Sequence, residues 1–327
     1  MTGDPTPDVE RIAQAAQAIA PAFRDTPVLR SEALDRLFGC ELALKVETLT
    51  PIRSFKGRGA YFLLHRLGAL AQAGVVCASA GNFGQGIAHA ARARGMAATV
   101  FAAESANPLK IAAMRRFGAE VLLAGRDFDA AKAAARAHAA RTGGLFVEDG
   151  LHPAIAEGAG TIALELDAAG ALGDLILVPV GNGSLINGIG TWIRSRHPGV
   201  RIVGVTAAGA PAMARSWREG RVIETAEART IADGIAVRVP VPEALAVMRA
   251  TVDEIVEVAE DDLVRAMRLA LAELGLLIEP AGVAGLAALA ADPALTRGRR
   301  VSTVLCGGNV TEAQMRAWFL APAPEAD

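Results

Sequence analysis

At 327 residues, with 52% hydrophobic and 21% charged side chains, the chain has material for a large core and about two domains. Lys plus Arg number 33 against 35 Asp plus Glu, a formal net charge of -2 that excludes a generally basic nucleic-acid coat and an acidic disordered chain. Three widely spaced cysteines, Cys40, Cys77 and Cys306, offer no metal-ligand pattern, and their odd number leaves a thiol unpaired, which points to a reducing compartment.

The N-terminal segment carries early acids rather than an apolar signal run, and apolar stretches such as 176–180 are too short to span a bilayer. A cytoplasmic protein with no membrane and no nucleic-acid partner is expected. Val9, Ile12, Ala16 and Ile19 then recur at helical spacing before Pro21. A strand is predicted over 41–46, followed by a polar turn and the run SFKGRGAYFLLHRL. There Ala60, Phe62, Leu63 and Leu67 form a buried helix face and Lys56 sits in the glycine-rich entry. Alternating units follow: strand 74–79, helix 85–94, strand 97–102, helix 108–117, strand 120–123, helix 128–141 and strand 144–147. A second series has helix 154–169, strand 175–180, helix 185–196, strand 200–206 and helix 211–219. Helices over 261–274 and 282–290, a strand over 301–305 and a frayed tail, APAPEAD, complete the chain. This alternation predicts an α/β fold of parallel βαβ units with helices on both sheet faces.

Three loops carry the chemistry. In SFKGRGA, Lys56 reads either as a surface lysine at a helix start or as an amine able to form a Schiff base with an aldehyde. Lys45 is the weaker rival, because its strand setting adjoins no glycine-rich turn. SAGNFGQG follows a strand and precedes a helix; Gly81, Gly84 and Gly86 allow close backbone approach, while Ser79, Asn82 and Gln85 can hydrogen-bond. A structural turn and a carboxylate-binding helix entry fit that segment equally. In VPVGNGSLINGIG, residues Gly181, Asn182, Gly183, Ser184 and Leu185 can surround a phosphate with backbone donors and a hydroxyl, a reading slightly favoured over a generic tight turn. Neither a nucleotide P-loop nor an early GxGxxG pattern is present. A candidate lysine and a separate phosphate cradle together favour an aldehyde-bearing, phosphorylated cofactor over ATP. Cys306 in CGGN reads as a buried apolar residue, a reactive thiol or a hydrogen-bond partner. Of the histidines, His152 before Pro153 is the better site candidate; His65, His89, His138 and His197 read as packing or surface residues.

In order and spacing, TPVLRS, LKVETLTPIRSFKGRGA, SAGNFGQG, EGAGTIALEL, VPVGNGSLINGIG, TIADGIAV, EPAGVAG and CGGNV resemble the fold-type II, pyridoxal-phosphate-dependent serine/threonine dehydratase family, including phenylserine dehydratase-like enzymes. The resemblance spans most of 26–309. It implies that Lys56 carries the aldehyde of pyridoxal 5'-phosphate (PLP), with Phe55 packed against the ring and Asn82 beside its phenolic oxygen. It also implies that 181–185 bind phosphate and that Cys306 faces the pyridine nitrogen, where serine is common. Glu279 matches an acid near the pocket that organises its surroundings or transfers a proton. Ser79, Ala80, Gly81, Asn82, Phe83 and Gln85 correspond to the substrate loop. The implied architecture has a smaller domain at 47–147, a larger one from 1–46 and 148–322, a tail at 323–327, a cofactor in the interdomain cleft and a homodimer.

Departures from the family pattern refine the expectation. Asn182 and Ser184 replace glycines common in the phosphate loop. Ala80 stands where serine racemases carry a proton-donating serine, which disfavours racemisation. Thr206 and Ala212 replace acids of a divalent-cation site, so no metal is expected there, and no room follows CGGNV for a long regulatory extension. Phe83 stands where histidine is common, and packs the loop or lines a pocket for a β-aryl side chain; Arg53 braces its loop or meets an acid. The expected activity is β-elimination and deamination of a small amino acid, L-threonine or L-serine, to a 2-oxo acid and ammonia. The departing hydroxyl takes its proton from the cofactor phosphate or a bound water. Alternatives are a phenylserine dehydratase, a β-substitution synthase and a noncatalytic PLP-binding regulatory protein.

Overall fold

The computed structural model describes residues 6–320; the APAPEAD run lies outside them. Each predicted strand forms within one residue of its expected limits. Helix α1 (Val9–Ala18) is capped by Asp8, whose side chain accepts from Arg11 N. A two-residue strand, β1 (Val28–Leu29), precedes α2 (Glu32–Phe38), and β2 (Glu41–Val46) leads through a turn into α3 (Lys56–Leu67). Four units follow: β3 (Val75–Ala78) and α4 (Asn82–Ala93), β4 (Ala98–Ala102) and α5 (Pro108–Arg116), β5 (Glu120–Leu123) and α6 (Phe128–Thr142), β6 (Leu145–Phe146) and α7 (Pro153–Ala168). Then come β7 (Leu175–Pro179) and α8 (Ser184–Arg196), β8 (Arg201–Ala207) and α9 (Ala212–Glu219), α10 (Pro242–Thr251), β9 (Glu254–Val258), α11 (Glu260–Leu274), α12 (Ala284–Ala291) and β10 (Arg300–Leu305).

The strands form two sheets. One has six strands in the order β1-β2-β10-β7-β8-β9, antiparallel only between β1 and β2. The other has four parallel strands in the order β5-β4-β3-β6. All five residues of β7 are buried, as a central parallel strand covered on both faces requires. Alternation divides them: Leu175 and Leu177 pack with residues of α11 and α12, whereas Ile176 and Val178 pack with residues of α7 and α8. In the four-stranded sheet Val75 and Cys77 face a core with α3 and α4, while Val76 meets Ala131, Ala135 and Ala139 at four-residue spacing along α6.

The structure corrects several limits. Helix α4 begins at Asn82 rather than 85, because Ser79 Oγ accepts from Gly84 N at 2.9 Å and turns the chain into the helix early. The segment predicted helical over 282–290 divides into a 3₁₀ turn, Pro280–Val283, and α12. Strand β1, helix α2, helix α10 and strand β9 are additions to the predicted set. Cys40, Cys77 and Cys306 are all free and buried.

Candidate active site

In open parallel sheets, ligands bind beyond the carboxyl ends of the strands. Five such ends converge here on one cavity of about 460 Å³. The turn after β2 brings Phe55 and Lys56; β3 leads to Ser79–Gly81, β6 to Asp149, β7 to Gly181–Gly183, and β10 to Cys306. Every residue expected at the site except Gln85 lies on the wall. Gln85 is buried away from it, and its Nε2 has no partner.

Lys56 is the first residue of α3. Its position follows from the preceding turn: Phe55 N and Ser54 Oγ both donate to the Cys306 carbonyl oxygen at 3.1 Å, tying the helix entry to the end of β10. Lys56 Nζ lies 2.6 Å from Asp149 Oδ2, 3.1 Å from Ser184 Oγ and 4.7 Å from the centre of the Phe55 ring. Lys45 does something else. It is 1% exposed, and its Nζ donates to the Thr26 carbonyl at 2.5 Å and to Glu165 Oε2 at 2.6 Å, inside the fold. Arg53 meets the site through its backbone: its carbonyl accepts from Gly308 N at 2.9 Å, and its side chain is exposed.

Ser184 opens α8, and Gly183 before it has φ +88°, a left-handed conformation that a side chain would strain. The first-turn N–H groups of a helix lack intrahelical partners and carry its positive dipole end. With the Ser184 hydroxyl they form an anion cradle beside Lys56.

On the opposite wall Asn82 is held at both ends of its amide. Its Nδ2 donates to Glu279 Oε1 at 2.6 Å, and its Oδ1 accepts from Asn309 Nδ2 at 2.8 Å. Burial, opposed by Lys110 and reinforced by Asp233, pushes the Glu279 carboxyl up to about 7. Glu279 lies on the cavity wall and also orients Asn82. Cys306 Sγ lies 3.7 Å from the Ala281 carbonyl oxygen, and burial, then Glu279, raise its thiol far above the ordinary range, so it stays neutral.

Ser79 Oγ accepts from Gly81 N at 3.2 Å as well as from Gly84 N, so this hydroxyl shapes the loop. Ala80 is half-buried on the cavity wall and Phe83 is buried there at the start of α4. His152 precedes α7 off the main cavity, with burial lowering its imidazole. His89 is a packing residue, 3.0 Å from the Tyr61 hydroxyl and edge-on to Phe23 and Phe117.

Sequence reasoning missed Asp149 and the Lys110–Asp233 ion pair, all on the cavity wall. Asp149 follows a two-residue strand in a turn whose only noted signal was His152. Asp233 sits in the motif TIADGIAV, but nothing in the spacing joins it to Lys110, which is 123 residues away.

A family model described as pyridoxal-phosphate dependent enzyme matches residues 19–307, and the chain belongs to that family. Within it the chain is a fold-type II enzyme of the threonine/serine dehydratase group. It is 39% identical over 305 residues to an L-threonine ammonia-lyase of Geobacter sulfurreducens, covering 91% of this chain and 75% of that protein. It is 34% identical to a phenylserine dehydratase of Ralstonia pickettii over 94% of each chain. The structure of maize serine racemase matches with a TM-score of 0.90 at 27% identity, over 95% of this chain and 96% of that one. The protein is an enzyme of the dehydratase/lyase class, and its cofactor is PLP.

The residues present fit that cofactor. Lys56 supplies an amine for the aldehyde, the start of α8 a cradle for the phosphate, and Asn82 a fixed amide for the phenolic oxygen. Phe55 offers a ring face, and the neutral Cys306 thiol a weak donor for the pyridine nitrogen. One buried wall atom, Asp149 Oδ1, has no partner. Among the described residues no helix is long and apolar enough to cross a membrane.

Proposed function

We propose that this enzyme is an ammonia-lyase that removes the β-hydroxyl and the amino group of L-threonine or L-serine, giving a 2-oxo acid and ammonia. The observation that carries this reading is the meeting of Lys56 Nζ with Ser184 Oγ, 3.1 Å apart, which joins the amine to the phosphate cradle. Bound PLP supplies an electron sink that makes the substrate α proton removable. In this reading Lys56 is the amine that would hold the cofactor and, once free, would take the substrate α proton. Gly181 to Leu185 would hold the phosphate, Phe55 would pack on the ring, and Asn82, oriented by Glu279 and Asn309, would meet its phenolic oxygen. Cys306 offers only a neutral thiol, which leaves the ring a moderate sink suited to expelling a β substituent. The backbone at Ser79–Gly81 receives the substrate carboxylate. Ala80 carries no transferable side-chain proton, so reprotonation from the second face lacks a donor there and elimination outruns racemisation.

A second reading rests on Phe83. Its buried ring on the cavity wall suits a β-aryl substrate, and the phenylserine dehydratase relative supports that reading. We also read 47–147 as a smaller domain packed on the rest of the described chain, and the enzyme as a cytoplasmic homodimer; sedimentation of the holoenzyme checks the dimer. A product-resolved panel of L-threonine, L-serine and both phenylserine diastereomers, with chiral analysis of recovered substrate, tests the activity. Ammonia and 2-oxo acid with little inverted substrate are expected. Racemisation without elimination overturns the reading. Phe83→His separates the two substrate classes: the ratio of kcat/KM for phenylserine over L-threonine should fall by ~10–200-fold, and an unchanged ratio removes Phe83 from specificity.

A further inference from the structure

Asp149 is held by one of its oxygens only. Oδ2 accepts from Lys56 Nζ at 2.6 Å, while Oδ1 is buried and has no hydrogen-bond partner. A carboxylate has about four acceptor positions, and a buried polar atom left bare costs about 1–3 kcal/mol. The adjacent acid shows the ordinary solution. Glu148 receives Lys132 Nζ at 3.0 Å and Arg136 Nη2 at 2.6 Å, both from α6, one on each oxygen. The Asp149 loop is also fixed in place. Gly150 has φ +88°, and a Cβ there would stand 2.5 Å from the Asn182 carbonyl oxygen, so this loop presses on the phosphate-binding turn. A rigid, half-used carboxylate therefore sits one hydrogen bond from the reactive amine and on the wall of its cavity.

We propose that Asp149 is the acid that protonates the departing β-hydroxyl, reusing the proton that Lys56 takes from the α carbon. The proposal rests on the ammonia-lyase reading above and names the proton donor that reading needs. The Lys56 amine removes the α proton and becomes an ammonium, leaving the C–H electron pair with the substrate. The ammonium passes that proton to Asp149 Oδ2. The protonated carboxyl, on the cavity wall beside Lys56, meets the β oxygen, which lies two bonds from the α carbon of the substrate. The C–O bond breaks with its electron pair on oxygen, the proton joins it, and water departs. Lys56 is again a free amine and Asp149 a carboxylate. No oxidant, reductant or further reactant enters.

The test compares two leaving groups on the holoenzyme. Hydroxide from L-serine needs a proton to leave; chloride from β-chloro-L-alanine does not. Asp149→Asn should lower kcat for L-serine by ~10²–10⁴-fold, the usual worth of a positioned acid, and kcat for β-chloro-L-alanine by less than about tenfold. Asp149→Glu, which keeps an acid, should recover part of the serine rate. Cofactor absorbance verifies an intact site, and Asp149→Ser serves for the same comparison if the asparagine variant does not load. A readout independent of turnover uses the cofactor-free protein. Acylation of Lys56 by acetic anhydride, followed by peptide mass, should be faster in Asp149→Asn, because the ion pair that engages the amine is gone. Equal losses on both substrates, or no loss on L-serine, overturn the role of Asp149 while leaving the ammonia-lyase reading intact. Wild-type enzyme that frees no ammonia from any hydroxy amino acid overturns that reading, and the proposal with it.

Discussion

Lys56 and Arg58 leave the same turn of α3, yet the charge clusters they enter are finished differently. The Arg58 guanidinium, 0% exposed, grips Glu47 through Nε and Nη2 at 2.8 and 2.9 Å and Glu165 through Nη1 and Nη2 at 2.6 and 2.8 Å. Lys45 closes the cluster on Glu165, and Thr26 on Glu47 at 2.6 Å. No side-chain polar atom of these five residues is buried without a partner. Burial alone would raise the Glu165 carboxyl, but the hydrogen bonds from Arg58 and Lys45 outweigh it and hold it below the ordinary range. Around Lys56, by contrast, Asp149 lies on a cavity wall and keeps one buried oxygen without a partner. The satisfied cluster fixes α3 against β2 and α7, and the unsatisfied one keeps groups available for reaction. Buried charges that are fully paired make poor reagents; a pair left incomplete can accept or release a proton.

The comparison breaks most sharply at the two cations themselves. Lys56→Ala should abolish covalent attachment of PLP and cut ammonia release by at least ~10²–10⁴-fold, with melting temperature near that of the parent; absorbance and coupled ammonia assays read both. Arg58→Met should act the other way round. Stranding Glu47 and Glu165 in the interior should cost ~3–5 kcal/mol in urea unfolding, with loss of activity following loss of folded protein. Gly150→Ala sharpens the contrast from the loop side: its φ of +88° and the nearby Asn182 carbonyl predict ~1–3 kcal/mol of strain, read as faster PLP loss on dialysis.

The smallest effect concerns pH and Glu279. Burial raises this carboxyl from 4.5 to about 7, so the folded chain keeps a proton that the unfolded chain has released. Its contribution to stability is complete below about 4.5 and is lost as pH rises through about 7. Melting of the cofactor-free protein should therefore weaken across that window, with the Lys110–Asp233 pair nearby, and Glu279→Gln should flatten the slope. An equal slope in the variant would assign the pH dependence elsewhere.

The sequence made the strands legible because their apolar runs are bounded by glycine and polar turns, and the central parallel strands are buried on both faces. Strand β9 and helix α10 escaped notice. EIVEV is interrupted by acids at 254 and 257, and PEALAVMRAT lies after a long irregular stretch, with Pro240 and Pro242 as its start signal. The amine, the phosphate loop and the Asn82 loop were legible as compact glycine-rich segments, each following a strand. The pairing of Lys56 with Asp149 was not, because 93 residues separate them and only the convergence of β2 and β6 from different sheets brings them together. Lys45 and Lys56 could be ranked by local context, but the finished cluster around Lys45 became visible only when Arg58, Glu47 and Glu165 were placed.

Reduction of the native protein with borohydride, digestion and mass analysis of the PLP-bearing peptide is the most direct test of the site. The cofactor should be found as a stable secondary amine on Lys56, in the peptide that contains SFKGRGA, and it should be absent from that position in Lys56→Ala. Reproducible recovery of the reduced cofactor on Lys45 would contradict the division between a structural and a reactive cluster.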